Sequence, residues 1–78
     1  MESKSKLLWR CRRGIKELDV LFTQFVETSY DGLADTEKQA FHKLLEIEDP
    51  VILGFMLYGD IPEEPDVASI VEKIHTNV

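Results

Sequence analysis

The chemistry this sequence offers is gathered near its N-terminal end, in Trp9, Arg10, Arg12, Arg13, Gly14 and Glu17. Arg13 and Glu17 stand four apart, the spacing of neighbours on one helical face. One reading is a surface ion pair in the weaker order, arginine first, worth at most about 0.3–0.5 kcal/mol. The other is a contact surface on which both are exposed. A guanidinium can grip a carboxylate or phosphate through two parallel hydrogen bonds, and Gly14 beside it leaves bare backbone for a partner to approach. Gly14 also reads simply as a helix-ending glycine. Trp9 suits either a plug closing one end of a core or an aromatic anchor in an interface. Arg10 and Arg12 read as solvated charges that steer association.

Elsewhere reactive groups are scarce. Cys11 is the single cysteine, so an internal disulfide is impossible, and it reads as a small buried hydrophobe. His42 and Glu46 are four apart, but two histidines and one cysteine at these separations make no metal cluster. The sequence shows no glycine-rich phosphate cradle, no nucleophile beside a base and no carboxylate pair in a pocket motif. The expectation is a protein that is not an enzyme, with no catalytic, cofactor-binding or metal-binding residues. Size agrees: a chain of 78 residues buries only about 60 % of its unfolded surface, which supports neither a deep catalytic cavity nor an enclosed cofactor.

The net charge of −6 divides unevenly. Residues 1–16 carry six basic side chains against one acidic, and residues 17–78 carry three basic against fourteen acidic. A basic knob on an acidic body fits a polar protein surface better than a nucleic-acid track. No apolar run reaches the ~18–20 residues of a membrane span, and the N-terminus lacks a signal-peptide core. The chain reads as complete, cytoplasmic, monomeric when free and a single domain over residues 1–78.

Helical periodicity runs through the whole chain and positions these residues. A short first helix is expected from Ser5, as N-cap, to Arg10 or Cys11, interrupted by Gly14. Ile15, Leu18, Leu21, Phe22, Phe25 and Val26 form one apolar face of a second helix ending near Tyr30, where Asp31-Gly32 is a stop. A third starts at about Asp35, as cap or in the first turn with Glu37, and turns Ala40, Phe41, Leu44 and Leu45 inward. Asp49 then reads as a cap before Pro50 at the first helical position. The fourth helix, Val51 to Tyr58, is apolar nearly all round and is expected to be the most buried, with Leu53 and Phe55 in the core and Gly59 closing it. After a proline-stiffened loop, Asp66 caps a last helix with Val67, Ile70, Val71 and Ile74 inward. The fold class is all-α, a compact five-helix bundle of short helices.

Trp9-Arg10-Cys11-Arg12-Arg13-Gly14-Ile15-Lys16-Glu17-Leu18-Asp19 resembles the signature of the SdhE family, succinate dehydrogenase assembly factors whose hallmark is R-G-x-x-E. Here the hallmark is Arg13, Gly14 and Glu17. Tyr30-Asp31-Gly32-Leu33, Glu37-Lys38, Phe41, Leu44-Leu45-Glu46 and Asp49-Pro50 continue the likeness, over roughly residues 9–59. Two positions depart from it: Ala34 replaces a serine before the third helix, and Phe55 stands where a tryptophan is common, with one residue fewer before the glycine. The resemblance implies a chaperone that binds the flavoprotein subunit of succinate dehydrogenase or fumarate reductase and promotes covalent attachment of FAD to a histidine of that client. It implies that the R-G-x-x-E surface faces the client, which does the bond-forming chemistry. Two alternatives are a helical interaction module, antitoxin-like or adaptor-like, with an unrelated partner, and a carrier that delivers FAD directly.

Overall fold

The computed structural model describes residues 4–76, and the regular elements among them are all helical. They are α1 (Lys4–Arg10), α2 (Lys16–Thr28), a 3₁₀ turn (Tyr30–Gly32), α3 (Asp35–Leu45), α4 (Asp49–Leu57) and α5 (Pro65–Thr76). The five-helix, all-α expectation holds.

Several helix ends differ from the sequence reading, each for a local reason. Ser5 lies inside α1 and does not cap it. α2 stops at Thr28, whose hydroxyl donates back to the Gln24 carbonyl at 2.8 Å and so competes with the helical ladder. The chain then tightens into the 3₁₀ turn that ends at Gly32. At α3 the N-cap is Ala34, which has no side-chain acceptor, and Asp35 is the first helical residue. Glu37 supplies the other half of a capping box, accepting the Ala34 N–H at 2.9 Å. α4 is preceded by Glu48, so Asp49 sits inside the first turn and Pro50 follows at a position whose N–H would be unpaired anyway. α5 opens at Pro65; Asp66 falls in the first turn and accepts the Val67 N–H at 2.9 Å.

One apolar cluster unites the helices. Phe41 of α3 is its centre, with the ring of Phe22 perpendicular at 5.9 Å, Phe25 at 5.4 Å and Tyr30 at 5.8 Å. These are spacings at which edge-to-face rings attract. Leu7 and Cys11, Leu18, Ala40, Leu44 and Leu45 surround them, and Val67, Ile70, Val71 and Ile74 of α5 close the far side. Burying each large side chain contributes about 1.5–3 kcal/mol. The stripes expected on α3 and α5 are buried in full.

α4 corrects the expectation that it is the most buried helix. Ile52, Gly54 and Met56 are buried, but Leu53 and Phe55 are only half-buried, and Val51 and Leu57 are exposed. The helix turns one stripe inward, and an all-apolar composition carries no signal for which stripe that is. Gly54 is packed because the Asp60 carboxylate folds over it, while the Asp60 N–H donates to the Gly54 carbonyl at 3.0 Å. Gly59 follows α4 with φ 78, the left-handed conformation of a helix-terminating glycine. No helix among the described residues is long and apolar enough to cross a membrane.

Candidate functional site

The basic knob is built on the turn that links α1 to α2. α1 ends by tightening: the Cys11 N–H donates to the carbonyls of Leu7 and Leu8, and the Arg12 N–H to that of Trp9 at 3.2 Å. Cys11 is fully buried, and burial pushes its thiol up to about 11 against the opposing pull of Arg13 and Arg10. A protonated, enclosed thiol is a packing group and no nucleophile. Beyond Gly14 the chain passes through extended Ile15, whose carbonyl accepts the N–H groups of Leu18 and Asp19 to start α2.

Arg13 is not on a helix, so the four-residue spacing to Glu17 does not bring the two together. α2 begins only at Lys16. Instead the Arg13 side chain, 14 % exposed, turns inward to the corner between α3 and α4. It donates to the Leu45 carbonyl at 2.6 Å and to Asp49 Oδ1 at 3.3 Å, and its guanidinium lies 5.9 Å from the centre of the Phe22 ring. Its Nε is buried with no hydrogen-bond partner among the described residues. The Leu45 carbonyl is one of those a helix leaves unpaired in its last turn. Arg13 therefore closes α3, pairs with the start of α4 and covers an aromatic core residue at once. The expectation of an exposed Arg13 is corrected.

Arg10 is drawn in as well, toward α3. Its guanidinium lies 2.8 Å from His42 Nδ1, and His42 Nε2 lies 2.9 Å from the Tyr30 hydroxyl. Arginine can only donate, so Nδ1 accepts and Nε2 carries the hydrogen toward Tyr30. The reading of Arg10 as a simply solvated charge is corrected too. His42 and Glu46, considered together from their spacing, belong to no metal cluster among the described residues.

The other motif residues face outward. Trp9 is 68 % exposed, so it is a surface aromatic and not a core plug. The Arg12 guanidinium sits over the ring, 5.1 Å from its centre, a cation–π contact. Gly14 is exposed, and a Cβ built there would meet no atom within 4 Å. Glu17 is exposed in the first turn of α2, where a carboxylate suits the positive end of the helix. Beside it Val20 is 54 % exposed, and with Lys16, Glu17, Leu21 and Gln24 it lines a shallow depression along α2. Sequence reasoning passed over Val20, although an apolar residue off the inward stripe was the available signal.

The acidic body is held by surface pairs that link α3 to α5 and to the loop before it. Lys43 lies 2.9 Å from Asp66 and 3.4 Å from Glu64, and Lys73 binds Glu37. Their hydrogen bonds hold Asp66 and Glu37 below the usual carboxylate range and raise Lys43. A concavity of about 680 Å³ opens between the end of α3, α4 and the loop at 61–64, and shares no residue with the arginine turn.

The whole pattern matches a known family: the profile of Sdh5, described as the flavinator of succinate dehydrogenase, aligns with residues 5–78. The chain belongs to this family. Among its relatives, the FAD assembly factor SdhE of Shewanella oneidensis is 39 % identical over 70 residues, covering 90 % of this chain and 85 % of that protein. SdhE of Yersinia pseudotuberculosis is 37 % identical over 76 residues, 97 % and 86 % of the two chains. That of Coxiella burnetii is 36 % identical over 72 residues, 92 % and 88 %. The likeness read from residues 9–59 thus extends over nearly the whole chain. On the structure, the R-G-x-x-E signature divides: Arg13 is turned inward, while Gly14 and Glu17 stand on the surface with Trp9 and Arg12.

Proposed function

We propose that this chain is an assembly factor for succinate dehydrogenase flavinylation. It binds the flavoprotein subunit of succinate dehydrogenase or fumarate reductase and promotes covalent attachment of FAD to that subunit. The family match over residues 5–78, with relatives named FAD assembly factor, carries this reading. The chain acts as one helical unit in the cytoplasm, monomeric when free. It is not an enzyme: it holds the client in a competent conformation, and the client supplies the groups that form the flavin bond.

The contact surface is the outward side of the arginine turn. The stacked Trp9–Arg12 pair offers a large, pre-ordered anchor of the kind that dominates interfaces. Bare backbone at Gly14 lets the client approach to van der Waals contact. Glu17 is placed to meet a cation on the client. Arg10 and Arg13 support this surface from beneath and add positive potential that orients the encounter with an acidic client face.

The test is direct. The purified chain is mixed with flavin-free flavoprotein subunit and FAD, and covalent flavin is read by fluorescence after denaturing electrophoresis. Faster flavin attachment, with co-purification of the two proteins, is expected. Equal attachment with and without the chain, and no co-purification, refutes the proposal.

A further inference from the structure

We infer that Asp49 is a positioning residue for the client surface: through Arg13 it fixes the Arg12–Gly14 turn without touching the client itself. The inference rests on the proposed reading of that turn as the client site.

The turn has little to hold it in its own backbone. Past the Arg12 N–H, which closes α1, no backbone–backbone hydrogen bond of Arg13 or Gly14 is present among the described residues. Fixing the backbone of each residue there costs about 1–2 kcal/mol of conformational entropy. What orders it is Arg13, anchored at three points on three elements. Its N–H reaches Asp19 Oδ2 of α2 at 3.4 Å, one guanidinium nitrogen reaches the Leu45 carbonyl of α3, and the other reaches Asp49 of α4. The carboxylate within ion-pairing distance of this largely enclosed cation is that of Asp49, 24 % exposed and fixed on the first turn of a helix. Because the buried Nε has no partner, the guanidinium relies on its two terminal nitrogens. Without Asp49 it keeps one neutral acceptor and loses its counter-charge, which favours swinging out to water.

Helix formation alone gives Asp49 no such task. Glu48 occupies the N-cap, so at 49 a carboxylate contributes only the general attraction to a helix N-terminus. The Arg13–Asp49 contact thus joins two parts of the sequence 36 residues apart, the R-G pair and the D-P pair, into one device. Its product is the fixed, open placement of Gly14 and of the Trp9–Arg12 stack.

The test compares Asp49→Asn with Asp49→Glu, and with Val71→Ala, a buried α5 change remote from the turn. Two quantities are read: hydrogen exchange of the Arg12 and Arg13 amides, whose N–H groups are bonded to the Trp9 carbonyl and to Asp19, and affinity for the flavoprotein subunit. Asp49→Asn is expected to stay folded, with exchange in the turn and the dissociation constant each rising about tenfold, the size of one charge-assisted hydrogen bond. Asp49→Glu keeps the charge and should recover much of both. Val71→Ala should lower the melting temperature more than Asp49→Asn yet leave turn exchange and affinity as in the wild type. Wild-type affinity in Asp49→Asn overturns the inference. So does equal weakening by Val71→Ala, which would mark the effect as general stability, and so does outright unfolding of Asp49→Asn. If the wild type itself fails to bind the flavoprotein subunit, the proposed function falls, and turn exchange alone then decides whether Asp49 orders the turn.

Discussion

The α1–α2 turn and the α4–α5 connection each carry a glycine at the reversal, and the two glycines are there for different reasons. At the end of α4, Gly59 has φ 78, a conformation that L side chains rarely adopt, and Gly54 one turn earlier lies under the Asp60 carboxylate. Backbone geometry demands glycine at 59. At the α1–α2 turn, Gly14 has no positive φ and open space where a Cβ would go. Among the described residues nothing requires a glycine there, while its neighbour Arg13 is held to three other elements. A glycine the fold needs reports on the fold. A glycine the fold does not need, set on an anchored turn, is what the proposed client surface calls for.

The comparison can be tested first at α4, where the largest loss of stability is expected. Ile52 is fully buried, so Ile52→Asp places an unpaired carboxylate in the core at a cost of several kcal/mol against a total of about 5–15. Far-UV circular dichroism should show an unfolded or barely folded protein. Val51→Asp, next to it but 47 % exposed, should stay within about 0.5 kcal/mol of wild type. Similar melting of the two variants would mean that α4 faces the other way.

A smaller effect is expected under the arginine turn, from Cys11. In the folded state its thiol keeps its proton up to about 11, against an ordinary value near 9. The unfolded chain therefore binds fewer protons between those values, so stability is lost as pH rises from about 9 to about 11, by at most about 1.4 kcal/mol per pH unit. Chemical denaturation at pH 8 and pH 10.5 measures the loss, and Cys11→Ala should reduce it. An undiminished loss in Cys11→Ala would place the cause in other groups.

The finest distinction lies between the two glycines. Gly59→Ala forces a side chain into the left-handed region and should cost about 1–2 kcal/mol. Gly14→Arg should cost less than about 1 kcal/mol and melt close to wild type, yet leave covalent flavin on the client at the level seen without this protein. Equal destabilisation by the two, or full flavinylation with a folded Gly14→Arg, breaks the contrast.

Much of this was legible in the chain because it is local. The inward stripes of α2, α3 and α5 follow from a 3.6-residue period acting over one helix, and Phe22, Phe25 and Phe41 were placed in the core on that ground alone. The family signature could be read for the same reason, as a run of residues in order. Helix ends were less legible, since Ala34, Glu48 and Pro65 begin helices through backbone positions that several neighbouring residues could have filled.

By itself, then, the sequence determined an all-helical chain, its main core faces and its membership of a family. Only the tertiary structure decided which arginine of the knob looks outward. Arg12 stacks on Trp9 at the surface, whereas Arg10 and Arg13 are taken in by His42, Leu45 and Asp49, partners 32 to 36 residues away. It likewise decided which stripe of α4 is covered. The physical reason is the same in both cases. A charge or an apolar face is satisfied by whatever the fold brings beside it, and spacing along one helix holds no information about a partner on another.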